Sequence, residues 1–161
     1  MGILAFSALR SRRRIAKIYY YGVEYVPWVP GYSYGGTCSK ESTYLRLYAP
    51  GNGAEATFVT DEPIDFTRID FLKIEVENVG YANVPEDPNG NESWLVLSSD
   101  KMGSHNVYNY RWQVFFGAAD KQIKVYNTQN ITDLYYIRFH AYVSSKAPLS
   151  SDFRIYAVLE S

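Results

Sequence analysis

The sequence predicts an all-β fold, an antiparallel two-sheet β-sandwich of jelly-roll type behind a short N-terminal helical or extended arm. Three observations carry the prediction. Some nine or ten short segments alternate apolar and polar residues with the period of a strand, separated by Gly, Pro and Asn turn signals. No strand is followed by a helical period, so parallel βαβ units are absent and the sheets must be antiparallel. The 161 residues include 16 tyrosines, roughly three times average usage, and tyrosine favours strands and binding surfaces.

A chain of this length supports one core. Residues 1–17 form a basic docking arm and residues 18–161 the sandwich. Within the arm Ile3, Phe6 and Leu9 recur at helical spacing, and Arg12, Arg13 and Arg14 follow. A helix this short is marginal alone in water, so its apolar side calls for a partner surface.

From Ile18 the pattern is β. Residues 18–21 are tyrosine-rich, and residues 24–29 end at the turn dipeptide Pro30-Gly31. Residues 32–42, rich in Gly and Ser, read as a loop. Residues 44–49 put Leu45, Leu47 and Ala49 on one side and Tyr44, Arg46 and Tyr48 on the other. Pro50-Gly51-Asn52-Gly53 is a hairpin turn, residues 56–60 return, and Asp61-Glu62-Pro63 stops the strand. Residues 71–77 alternate Leu72, Ile74 and Val76 against Lys73, Glu75 and Glu77, the mark of a half-buried strand. After a polar loop over 80–91, strands follow at 94–98, 107–116, 122–126, 134–143 and 153–159. The cleanest alternation is in 134–143: Tyr135, Ile137, Phe139, Ala141 and Val143 face one way, and Tyr136, Arg138, His140 and Tyr142 the other. In the last strand Phe153, Ile155, Ala157 and Leu159 are expected inward, with Arg154, Tyr156 and Val158 outward.

Charge and cysteine usage exclude several classes. The net charge is −1, yet residues 1–18 hold five bases and no acid, leaving 11 bases against 17 acids in the remainder. Such an acidic body argues against nucleic acid as a partner. One cysteine, Cys38, excludes an internal disulfide and a thiolate metal cluster. No apolar run spans a bilayer, and the positive charges follow the N-terminal apolar segment, the reverse of a secretory signal, so no membrane partner is expected.

Catalytic groups are sparse. His105 and His140 have no nucleophile at a recognisable spacing, and Cys38 has no protease signature around it. Glu75 and Glu77 share a strand face at a spacing that overlaps the carboxylate separation of inverting glycosidases, but a solvated strand face explains the pair. Asp87, Asn89, Asn91 and Glu92 depart from the calcium-loop pattern at Gly90. The chain reads as no enzyme, with no cofactor and no metal. What recurs instead is a ladder of tyrosines and cations at non-core positions: Tyr44, Arg46, Tyr48; Tyr136, Arg138, His140, Tyr142; Arg154, Tyr156. On one sheet these would form a continuous patch of interface composition, suited also to sugar faces and acidic polysaccharides. Trp28, Tyr32 and Tyr34, with loop residues, are further candidates for glycan contact.

Four stretches together, Trp28-Val29-Pro30-Gly31-Tyr32-Ser33-Tyr34-Gly35-Gly36, Ser39-Lys40-Glu41, Val59-Thr60-Asp61-Glu62-Pro63-Ile64-Asp65 and Tyr135-Tyr136-Ile137-Arg138-Phe139-His140-Ala141, resemble the β-sandwich modules of tail and other virion structural proteins from phages and prophages of Gram-positive bacteria. The resemblance runs from about Ile18 to Leu159. It implies a non-enzymatic subunit on the surface of a phage particle, docked to capsid or tail proteins through the arm, a capsid decoration or a fibre or tail-associated subunit. It also implies a homo-oligomer. The alternative expectation is a carbohydrate-binding module that attaches to host cell-wall glycan.

Overall fold

The computed structural model describes residues 16–51, 53–79, 92–101, 109–114, 121–143 and 150–161. The arm residues Ile3, Phe6, Leu9, Arg12, Arg13 and Arg14, His105, and the loop holding Asp87, Asn89 and Asn91 lie outside these.

Among the described residues thirteen strands make two antiparallel sheets packed face to face, the expected β-sandwich. They are β1 (Lys17–Tyr20), β2 (Val23–Glu24), β3 (Trp28–Pro30), β4 (Thr37–Lys40), β5 (Leu45–Ala49), β6 (Glu55–Thr60), β7 (Ile64–Asp65), β8 (Phe71–Asn78), β9 (Glu92–Ser98), β10 (Tyr110–Gln113), β11 (Gln122–Asn127), β12 (Leu134–Tyr142) and β13 (Ser151–Glu160). The only helical element named among the described residues is a 3-10 turn at Phe66–Arg68, whose N-cap Asp65 accepts from the Thr67 amide. One sheet has seven strands in the order β11-β8-β13-β1-β2, with β5 on the other half of β13 and β4 beyond it. The second has six, β10-β9-β12-β6-β3, with β7 beside the start of β12.

Alternation places the core. Leu45, Leu47, Leu72, Ile74, Val76, Phe153 and Ile155 point inward from the first sheet, and Trp28, Phe58, Leu95, Leu97, Ile137 and Phe139 from the second. In register, Leu95, Phe139 and Phe58 form one inner row of the second sheet, and Val76, Ile155 and Leu45 one inner row of the first. The Phe139 ring meets Phe153 edge-on across the layers at 6.0 Å and stacks on Trp28 at 5.6 Å. Each such side chain contributes roughly 1.5–3 kcal/mol over leaving it in water. Edge strands β10 and β11 are bridged by Trp112 on Tyr126 at 5.3 Å, and within the six-stranded sheet Tyr110 of β10 meets Tyr135 of β12 at 5.6 Å.

Three expectations need correction. The stretch 24–29 is two strands, because the chain leaves one sheet after Glu24 and joins the other at Trp28. The loop 32–42 contains β4, an exposed edge strand whose polar sequence TCSK carries no apolar alternation. In β13 a bulge between Ile155 and Ala157 shifts the register. The extra residue flips the parity, so Val158 rather than Ala157 or Leu159 joins the core.

Candidate functional site

The outer face of the seven-stranded sheet gathers a connected set of polar aromatics and charges. Register places Glu77, Arg154, Arg46 and Ser39 in one row across β8, β13, β5 and β4. The next row along β13 pairs Asp152 with Tyr48. In the opposite direction lie Tyr156 at the bulge, then Glu75, Ala157 and Tyr20, then Lys73, Leu159 and Lys17. Ile123 and Val125 of edge strand β11 register with Glu75 and Lys73 and stand largely in water, an apolar margin to this face.

Its side chains hold one another. Asp152 is shared by two guanidinium groups: Arg46 donates through Nε and Nη2, both at 3.0 Å, and Arg154 through Nε at 3.2 Å and Nη2 at 3.0 Å. Burial pushes the Asp152 carboxyl up, but the bonds from Arg46 and Arg154 outweigh it and hold the group below its ordinary value. The same bonds raise both arginines. Arg154 Nη1 also lies 3.6 Å from Glu77, which accepts the Tyr156 hydroxyl at 2.7 Å. The Tyr21 hydroxyl donates to Glu75 at 2.5 Å. That bond pushes the Tyr21 phenol up to about 12, and burial together with Glu77 does the same for Tyr156.

Cations lie against the rings. Lys121 is 3.9 Å from the Tyr156 centroid and 4.9 Å from that of Tyr21, Arg154 is 5.2 Å from Tyr44, Arg46 is 5.2 Å from Tyr48, and Lys17 is 4.2 Å from Tyr20. Tyr44 and Tyr156 meet at 5.2 Å and Tyr21 and Tyr156 at 5.8 Å. Tyr21 reaches this cluster from a two-residue hairpin turn in which it and Gly22 both have positive φ, 45° and 89°. Only glycine fits at 22, where a Cβ would stand 2.1 Å from the Ser42 carbonyl oxygen. A tyrosine in the left-handed region costs about 1–3 kcal/mol, and here its ring contacts and the bond to Glu75 hold it there.

The ladder read from the sequence is therefore divided. Tyr44, Arg46, Tyr48, Arg154 and Tyr156 come together as expected, although Tyr156 keeps only 6% of its surface. Tyr136, Arg138, His140 and Tyr142 belong to β12, in the other sheet, so they face the opposite side of the sandwich and no continuous patch forms. There Arg138 is 4% exposed, its guanidinium donating to the carbonyls of Asp100 at 3.0 Å and Lys101 at 3.5 Å, while Lys101 pairs with Asp61. His140 pairs with Glu55 at 2.9 Å and stacks on Tyr142, and the Arg111 guanidinium sits 3.2 Å from the Trp94 ring centre. Thr57, Val59, Val96 and Ser98 are buried on this same side. Arg138, His140 and Arg111 are thereby held by internal contacts.

Trp28 is corrected outright: it is fully buried in the core, so no ligand reaches it. Tyr32 and Tyr34 are 46% and 65% exposed, where the chain crosses from the six-stranded sheet to β4. The sequence reading overlooked Tyr20, Tyr21, Lys121 and Asp152. The run Tyr19-Tyr20-Tyr21 was the available signal for the first two.

No group of three or more His, Cys, Asp or Glu residues that could hold a metal ion occurs among the described residues. Cys38 is half-buried, its thiol pushed up by burial and donating to the Thr57 carbonyl at 3.1 Å. Among the described residues neither Glu75 nor Glu77 has a nucleophile or second acid as its partner; each is held by a tyrosine hydroxyl.

The sequence matches no protein-family model and no curated protein. Solved structures do resemble the fold. A low affinity xylan binding module, CBM86, from the gut symbiont Roseburia intestinalis superposes with a TM-score of 0.51 at 7% identity, covering 83% of this chain and 88% of that one. The carbohydrate recognition domain of Emp47p gives 0.54 at 10% identity, covering 91% and 96%. The glycoside hydrolase domain structure of Endo-D from Streptococcus pneumoniae R6 gives 0.60 at 8% identity; it matches 86% of this chain, which spans 22% of that structure. At these identities the likeness establishes a shared β-sandwich fold.

Proposed function

We propose that this chain is a non-catalytic carbohydrate-binding module whose ligand lies along the outer face of the seven-stranded sheet. The observation that carries the reading is the composition of that face: Tyr20, Tyr21, Tyr44, Tyr48 and Tyr156 interleaved with two arginines and three carboxylates, all positioned by contacts with one another. Aromatic rings offer an apolar surface to the C–H face of a sugar. Planar carboxylate and guanidinium groups offer paired bonds to neighbouring hydroxyls, and side chains already fixed lose little entropy on binding. The fold shared with a xylan binding module and a carbohydrate recognition domain supports the same class.

The virion setting implied by the sequence resemblance belongs to this proposal as its context. A module displayed on a phage particle would meet the wall glycan of a Gram-positive host, and residues 1–17 would mount it.

The test is binding of the full chain to isolated Gram-positive cell walls and to a panel of soluble polysaccharides by affinity electrophoresis. The double variant Tyr44→Ala, Tyr48→Ala should lose at least about tenfold in affinity, the scale of removing stacking anchors. The double variant Tyr136→Ala, Tyr142→Ala on the opposite sheet should bind like the parent. Failure of the parent chain to bind any wall or polysaccharide would remove the reading.

A further inference from the structure

Resting on that reading, we infer that the site takes an anionic glycan, with a carboxylate or phosphate group of the ligand seated on the free edge of Arg46. The charge on this face is unbalanced. Lys17, Lys73, Lys121, Arg46 and Arg154 stand against Glu75, Glu77 and Asp152, with Glu41 at the margin on Ser39, although in residues 16–161 acids outnumber bases by 17 to 12. A positive face on an acidic body draws in and orients an anion.

Within the face the imbalance is sharpest at one point. Arg46 and Arg154 are direct cross-strand partners, where like charges repel. A single carboxylate, Asp152, lies between them and already accepts two N–H groups on each oxygen, so it has no capacity left for another donor. Arg154 gains a second carboxylate in Glu77. Arg46 gains none. Its Nε and one Nη2 hydrogen go to Asp152, which leaves the Nη1–Nη2 edge, the fork that pairs end-on with a carboxylate or phosphate. The Arg46 side chain is 37% exposed, against 25% for Arg154 and 13% for Asp152, and it borders the Tyr48 ring. A sugar on Tyr48 would bring its charged substituent to that fork. Lys121 repeats the theme, donating to the Tyr21 hydroxyl at 3.4 Å and lying over two rings, with no carboxylate among its described partners.

The experiment measures affinity of the full chain, by calorimetry at low and at high salt, for polygalacturonate, a glycerol-phosphate teichoic acid and neutral xylan. Arg46→Gln, Arg46→Lys and Arg68→Gln are compared with the parent, Arg68 being exposed on the 3-10 turn away from this face. At least one polyanion should bind about tenfold or more tightly than xylan, weakening with salt, and binding of the polyanion alone is the limiting form of that result. Which polyanion prevails distinguishes carboxylate from phosphate. Arg46→Gln should lose about tenfold or more for the polyanion, as expected for a charge-assisted fork, and stay within about twofold for any neutral ligand. Arg46→Lys, which keeps charge without the fork, should recover only part. Near-UV circular dichroism of each variant shows that the fold is kept. Equal affinity for neutral and anionic glycans, or an Arg68→Gln loss as large as that of Arg46→Gln, overturns this inference and leaves glycan binding standing. Absence of binding to all three overturns both.

Discussion

Asp152 is the residue on which the arrangement of this face turns. Its two oxygens lock Arg46 and Arg154 side by side, and without its charge the two guanidinium groups would repel across β5 and β13. Asp152→Asn should therefore destabilise the fold by about 2 kcal/mol at pH 7, between the cost of breaking a buried pair and that of a solvated one. The dependence on pH has a definite sign. The folded carboxyl titrates below its ordinary 3.8, so its contribution is complete above that value and is lost as pH falls through the lower, folded one. Urea unfolding should show the full gap between parent and variant at neutral pH and a closing gap below about pH 4; a gap constant down to pH 2 would contradict an ionic role. Asp152 was not legible in the sequence. Ser-Asp before Phe153 has the composition of a turn, yet the strand begins at Ser151. Its neighbours Arg46, Tyr48, Arg154 and Tyr156 were legible, because parity alone assigns them to the outside.

Among the elements, the crossing from β3 to β4 decides how the two sheets are joined. Trp28–Pro30 pairs with β6 in one sheet and Thr37–Lys40 with β5 in the other, so the chain between them runs across the open edge of the sandwich. It passes through a gap at Gly36, where a Cβ would come within 2.4 Å of the Glu55 carbonyl oxygen and 2.9 Å of that of Tyr48. Gly36→Ala should cost roughly 1–3 kcal/mol, since backbone on both sides must move, and lower the thermal midpoint by several degrees; an unchanged midpoint would mean that the crossing is not a fixed joint. The Gly-Ser richness of 32–42 correctly announces irregular chain but conceals β4, whose side chains are mostly exposed and so need no alternation. The bulge in β13 was equally hidden: one extra residue leaves no mark on composition, yet it moves Val158 into the core and leaves Tyr156 facing outward to Glu77.

For the whole molecule, the fold class follows from strand periodicity and the absence of a helical period between strands, and both sheets agree with it. Periodicity says which side of a strand is wet. It does not say to which sheet the strand belongs, because that is set by pairing between residues as distant as Val59 and Arg138. For that reason the tyrosine and cation ladder of β12 lies on the far side of the sandwich from that of β5 and β13, and in the six-stranded sheet Arg138 is spent on backbone carbonyls and His140 on Glu55 and Tyr142. One face is left with a connected array of rings and charges at its surface, and that face is the proposed ligand platform. The most direct test is amide chemical-shift mapping during titration with the polysaccharide that binds best. The account predicts perturbations clustered on Tyr20, Tyr21, Tyr44, Arg46, Tyr48 and Arg154. Perturbations clustered instead on Trp94, Tyr136, His140 and Tyr142 would place the ligand on the other sheet and contradict it.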